Sequence, residues 1–206
     1  NQLHCFEIPQ WVGSGEWYDQ KTLPSHAFLL TKEERLSGRF QLPWSDDPKP
    51  NLAIGEWARQ QQALRPGRNI CSAKSWLCYH NLNPEAEILP QSDQQDLRQY
   101  SALAASSLFL QHIRDSWNHK IAKDRPELRL EEQDIVLTVP ASFDEVAREF
   151  TLRSAQMAGL KNITLLEEPQ AAFYSWIAEN IENSVYPETL SNYFTNSENI
   201  VLVVDI

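Results

Sequence analysis

Residues 135–173 read IVLTVPASFDEVAREFTLRSAQMAGLKNITLLEEPQAAF, and this stretch decides the fold. Ile135 to Val139 is an apolar run of strand length, and Pro140 ends it because a proline cannot donate to a ladder. A helix follows over about 143–158, with Ser142 and Glu145 as a capping box and Gly159 at the place of a left-handed C-terminal cap. ITLL at 163–166 is a second strand, and Pro169 opens a second helix over about 169–181, its missing N–H costing nothing in a first turn. With IVLVV at 200–204 the order becomes strand, helix, strand, helix, strand, which predicts a layered α/β arrangement.

Upstream, residues 95–122 carry apolar side chains at three- and four-residue steps, Leu97, Tyr100, Ala104 and Leu108, then Ile113, Trp117 and Ile121. That spacing predicts one long amphipathic helix whose solvated face holds Gln111, His112, Arg114 and Asp115, so His112 and His119 read as surface histidines. Residues 55–64, GEWARQQQAL, predict a helix that stops at Pro66-Gly67. The first third is broken by Pro and Gly into short pieces. Phe6–Ile8 and Ala27–Leu30 are strand-sized, with a turn-rich excursion over 13–21 between them. Residues 182–199 turn to Asn, Ser, Thr and Glu and read as a flexible excursion before the last strand.

The 206 residues carry 18 Lys+Arg against 28 Asp+Glu, a formal charge of -10, and no basic stripe, which argues against a nucleic-acid partner. The hydrophobic fraction of 42% suffices for a core without staples. Cys5, Cys71 and Cys78 are odd in number and widely spread, which fits reduced thiols rather than a disulfide framework. Cys71, Cys78 and His80 match no zinc spacing. No run of eighteen apolar residues and no leader-like start appear, so a cytoplasmic chain without membrane contact is expected.

Three places could carry chemistry. Asp205 stands at the carboxyl end of the last strand, where ligands bind in open α/β sheets, although a strand-end Asp also caps turns. Glu167-Glu168-Pro169 sits where a strand hands over to a helix, and a carboxylate there is favoured by the macrodipole or can hold a hydrated Mg²⁺. Lys74, in Ser72-Ala73-Lys74-Ser75-Trp76, is an ordinary solvated lysine unless the fold carries it to a phosphate. A chain that stops at the end of a buried strand also reads as a piece excised from a longer protein.

The run over 135–173 resembles the seventy-kilodalton heat-shock chaperones of the DnaK type, in their actin-like ATPase domain: strand, T-V-P-A turn, helix ending in A-G-L, strand and an E-P-x-A-A turn in unbroken order. VVDI at 203–206 resembles the strand leading into the family's second phosphate loop. TLPS (22–25), IGEWAR (54–59) and SAKSWL (72–77) resemble the family's T-P-S strand, a G-x-x-A helix start and the segment bearing its catalytic lysine. Gln170 departs from the family's threonine, and Trp11–Lys21 is unlike it, as for a divergent bacterial member.

The resemblance implies one lobe of the actin-like, ribonuclease-H-like ATPase fold. Residues 1–26 with 99–206 would form its sheet-containing base, and 27–98 a smaller α+β peripheral subdomain. It implies Lys74 and Glu168 as catalytic residues, Asp205 as a Mg²⁺ holder through water, and Pro140 and Arg148 as regulatory relay residues. ATP or ADP with Mg²⁺ would serve the parent protein. The phosphate loops lie outside this chain, so the fragment alone is expected to be inactive and to bind no nucleotide. Implied partners are the rest of the ATPase domain, a C-terminal domain, co-chaperones and unfolded clients. The competing readings are a degenerate actin-like interaction scaffold without ATP turnover and a sugar-kinase or actin relative.

Overall fold

The computed structural model describes residues 4–45, 50–79, 83–92, 97–178 and, as backbone only, 179–183. The expected strand at 200–204, most of the 182–199 excursion, His80 and Asp205 lie outside the described residues. The chain divides into two compact units, residues 1–133 with 145–162, and residues 134–144 with 163–206.

The first unit opens with a hairpin. Strand β1 (Ile8–Gly13) pairs antiparallel with β2 (Glu16–Gln20), Ile8 opposite Gln20 and Trp11 opposite Trp17. Ser14 and Gly15 make the two-residue turn, and Gly15 takes φ +84°, a value that favours glycine in such turns. The strand therefore starts two residues later than the apolar run at Phe6 suggests, because pairing with β2, rather than local apolarity, sets its limits. All five residues of β2 are exposed, while Pro9, Gln10 and Trp11 of β1 are buried.

Strand β3 (His26–Leu29) is the centre of a three-stranded antiparallel sheet, flanked by β4 (Leu52–Ile54) and β5 (Asn69–Cys71). Side chains alternate across a strand, so Ala27 and Leu29 point to one face and Phe28 and Leu30 to the other. Both faces are covered. Ala27, Leu29 and Ile70 join a core with Leu77, Leu89, Tyr100 and Ala105, and Phe28 and Leu30 join a second with Trp11, Phe40, Ala53 and Trp57. This explains why residues 27–30 read AFLL without a polar alternation. In the second core Phe40 meets Trp11 and Trp57 at centroid distances of 5.5 and 4.6 Å, and Arg65 lies 4.3 Å above the Phe28 ring.

Helix α1 (Lys32–Leu36) starts at Thr31 with a full capping box, Thr31 Oγ1 accepting from the Glu34 N–H and the Glu34 carboxylate accepting from the Thr31 N–H. Helix α2 (Glu56–Leu64) matches its expected span and is followed by a 3₁₀ turn at Pro66–Arg68. The four-residue helix α3 (Ala73–Trp76) follows β5 directly.

Helix α4 (Ala102–Lys120) begins later than its periodicity predicts. Ser101 is the N-cap and accepts from the Ala104 N–H at 3.0 Å, while Tyr100 exchanges hydrogen bonds with Leu89 in an extended bridge. Tyr100 thus keeps the helical phase in sequence but reaches the core from an extended bridge, and Leu97 packs on that core from the irregular segment before it. His112 is a correction of a different kind. It is 5% exposed, and its Nε2 lies 2.8 Å from the Pro9 carbonyl oxygen of β1. The polar face was expected to meet solvent; instead β1 packs on it, and the carbonyl supplies the partner a buried imidazole needs.

Helix α5 (Glu145–Met157) packs on α4 through a stripe of small buried residues, Ala147, Thr151, Ser154 and Ala155. It ends in a Schellman motif: the Leu160 N–H donates to Ala155 O at 3.0 Å, the Gly159 N–H to Gln156 O at 2.9 Å, and Gly159 takes φ +84°. Arg114 of α4 also donates to the Ala158 carbonyl. The start differs from expectation. Helix α5 begins at Glu145, and Ser142 lies in the preceding turn, where the Phe143 N–H donates to Pro140 O at 3.1 Å.

The second unit holds strand β6 (Asp134–Val139), which pairs with β7 (Asn162–Glu167), and helix α6 (Glu168–Asn183), which packs on β6. Val139 at the end of β6 is fully buried.

Candidate functional site

Lys74 is carried by α3, and the local sequence explains how that short helix is held. Ala73 and Leu77 are 1% and 3% exposed in the core beneath β3 and β5, which anchors both ends. Ser72, at the N-cap, takes φ 54° and ψ 30°, the only positive φ outside glycine among the described residues. An L-residue there costs about 1–2 kcal/mol, and such strain collects where a fold must aim a side chain. The Ser72 carbonyl accepts from the Ser75 N–H at 2.9 Å, closing the turn around Lys74, which is itself half-buried. Cys71 and Cys78 flank the segment as free, half-buried thiols. Among the described residues no cluster of His, Cys, Asp or Glu could hold a metal ion.

In the second unit the chain passes from β7 into α6 without a loop, Glu167 closing the strand and Glu168 opening the helix. The helix therefore starts one residue before Pro169. Glu168 stands in the first turn of α6 and is half-buried. Pro140 is half-buried directly after β6 and its carbonyl closes the following turn, while Arg148 is half-buried on α5. Lys74 and Arg148 belong to the first unit, Glu168 and Pro140 to the second, and Asp205 falls outside the described residues.

Two features of the first unit escape the sequence reading. Gln10 is fully buried on β1, and its side-chain oxygen accepts from the Glu56 N–H at 2.9 Å, so it caps α2 from 46 residues away. No local signal marks a glutamine as a cap for so distant a helix. The second is a cavity lined by Lys32, Arg35, Arg68 and Arg98, whose cations come from three separate stretches of chain and form no motif.

Residues 47–206 match the family model described as Hsp70 protein. The chain is 32% identical over 146 residues to a chaperone protein HscA homolog of Methylococcus capsulatus, covering 66% of this chain and 22% of that protein. A chaperone protein HscA homolog of Pseudoalteromonas atlantica is 29% identical over 150 residues, 65% of this chain and 22% of that protein. Chaperone protein dnaK1 of a Nostoc species is 26% identical over 133 residues, 58% of this chain and 18% of that protein. The chain thus spans about a fifth of the length of the curated relatives it matches. Its mixed strands and helices agree with the actin-like ATPase fold that such a match implies, and the chain belongs to the Hsp70 protein family.

Proposed function

We propose that this chain is one lobe of the nucleotide-binding domain of a DnaK-like chaperone, in which ATP hydrolysis drives protein folding or remodelling. The observation that supports this reading is the family match over 47–206, the span that contains Lys74, Pro140, Arg148, Glu168 and Asp205. In this reading residues 1–26 with 99–206 form the base and 27–98 the peripheral subdomain that presents Lys74. The donor set suits the group it would serve: an ammonium for phosphate oxygens, and carboxylates for a hydrated Mg²⁺. Bound Mg²⁺ and ATP would supply the transferable phosphoryl group and most of its charge neutralisation.

The chain's own residues would position and stabilise. Lys74, stiffened by the anchored turn at Ser72, would meet charge that develops on the transferring group. Glu168 would orient the attacking water, and Asp205 would hold the metal's water shell. Pro140 and Arg148 would relay nucleotide state toward a C-terminal client-binding domain. The remaining half of the ATPase domain, co-chaperones and unfolded clients are the partners of this reading, in a cytoplasmic protein. Among the described residues no helix is long and apolar enough to cross a membrane.

Substitution of Lys74 in the full-length protein tests the assignment. A cation that meets developing charge stabilises the transition state more than the ground state. Lys74→Ala is expected to slow single-turnover hydrolysis by roughly a hundredfold, a loss of ~3 kcal/mol, with a much smaller change in nucleotide affinity. Arg148→Ala should leave basal hydrolysis intact and blunt its stimulation by peptide, because coupling between two sites is what a relay carries. Wild-type turnover by Lys74→Ala would overturn its role and put the scaffold without ATP turnover ahead.

A further inference from the structure

The entry into α3 reverses the order of faces that β5 sets up. In register with β3, Ile70 lies opposite Ala27 and Cys71 opposite His26, so Ile70 shares the face of Ala27 and Leu29. Side chains alternate along a strand, and a continued β5 would turn residue 72 to that face and residue 73 away from it. The opposite is found. Ser72 is exposed, and Ala73, 1% exposed, lies in one core with Ala27, Leu29 and Ile70.

A single residue makes that exchange, and it does so with its backbone. Ser72 is left-handed, at φ 54° and ψ 30°, between an extended strand and a right-handed helix. Its side chain gives no reason for the strain, since the hydroxyl makes no capping hydrogen bond and the residue is exposed. Such a backbone persists only where the surroundings over-determine it. Here they are Ile70 before it and Ala73 and Leu77 after it, all buried in one core. Ala73 and Leu77 stand four residues apart, so seating both fixes the rotation of α3 about its axis. Lys74 follows Ala73 by one helical step of about 100°, at the border of the buried stripe, in keeping with its half-burial. The Leu77 N–H donates to the Lys74 carbonyl at 3.1 Å, which ties the same turn together.

We propose that Ser72 is a positioning residue for Lys74, acting through its left-handed backbone and not through its hydroxyl. The inference rests on the phosphoryl-transfer role proposed for Lys74 and adds what aims it. A turn that leaves the left-handed region returns residue 73 to the wrong face, and α3 must rotate to recover its core contacts. Misplacing a reacting group by about 1 Å can slow catalysis up to ~100-fold.

The test uses the full-length protein. A β-branched residue is an outlier at positive φ, whereas glycine and asparagine accept it. Ser72→Val is expected to slow single-turnover ATP hydrolysis by about tenfold, with nucleotide affinity within about threefold of wild type. In the nucleotide-free protein it should also speed hydrogen exchange at the Ser75, Leu77 and Cys78 amides by about tenfold or more, since these close α3. Ser72→Gly and Ser72→Asn, which lose the hydroxyl and keep the left-handed backbone, should match wild type in both readings. They decide the matter even where Ser72→Val does not fold: a loss of about tenfold in either would overturn the proposal. The double variant Ser72→Val, Lys74→Ala should turn over no more slowly than Lys74→Ala alone, because a residue that acts through Lys74 has nothing left to aim. A further loss of about tenfold in the double variant overturns the positioning role, as does an undiminished rate in folded Ser72→Val beside a slow Lys74→Ala. A wild-type rate in Lys74→Ala would instead remove the role proposed for the lysine, and the inference with it.

Discussion

Replacing Gly55 by alanine should be among the most damaging single-methyl changes in this chain. Gly55 is the N-cap of α2 at φ 102° and ψ -144°, a backbone region that only glycine occupies without strain. A Cβ there would lie 2.5 Å from Gln10 Oε1, 2.9 Å from Gln10 Cβ and 3.0 Å from its Cδ. The Gln10 amide cannot swing aside cheaply, because Oε1 accepts from the Glu56 N–H at 2.9 Å and Nε2 donates to Thr22 O at 2.7 Å inside a fully buried site. Backbone strain contributes about 1–3 kcal/mol. Orphaning buried amide groups adds about 1–3 kcal/mol. The expected cost is therefore near 4 kcal/mol, large for a single substitution. Urea unfolding midpoints at constant m-value measure it, with Gln10→Ala and the double variant completing a cycle. Gln10→Ala removes the amide, so a coupling of at least about 1 kcal/mol should appear. A Gly55→Ala cost below ~1 kcal/mol, or the same cost with and without the Gln10 amide, would refute the reasoning.

Gly159→Ala strains the Schellman motif of α5 and brings a Cβ to 2.6 Å from Arg114 Nη1. Arg114 can move, so the expected loss is about 2 kcal/mol, mostly backbone, and it should shrink in an Arg114→Ala background, as read by thermal melting. His112 should make stability depend on pH. Burial holds its imidazole below the ordinary value of 6.5, against the opposing pull of the Pro9 carbonyl and Asp115, so the folded form is neutral. The unfolded chain then takes up a proton that the folded chain does not. Stability is full above about pH 6.5 and falls as pH drops below it, until the folded pKa is reached, by at most about 1.4 kcal/mol per pH unit. His112→Gln, which keeps a donor for Pro9, should remove that part of the slope between pH 7.5 and 5 in urea midpoints; an unchanged slope would assign it to other groups.

The β6, α5, β7, α6 order was legible because each element announces itself locally, by an apolar run, a proline, or a glycine at a helix end. What resisted reading was decided by contacts far along the chain. Leu97 and Tyr100 carry the α4 period yet precede the helix, Tyr100 in a bridge to Leu89 and Leu97 in the irregular segment before it, and both pack on the same core. His112 sits on the polar side of α4, but β1 lies against that side and converts a solvated position into a buried one. The site residues divide the same way. Lys74 and Glu168 are proposed from motif order, whereas Arg35, Arg68 and Arg98 line one cavity from three segments and leave no pattern in any window of sequence. Gly55 joins the two cases. Its place in IGEWAR marked it as a motif position, and the structure supplies the physical reason, since the room a side chain would take is filled by Gln10 from 45 residues upstream. A motif glycine thus records a distant neighbour, and the Gly55 cycle with Gln10 measures whether that neighbour is the cause.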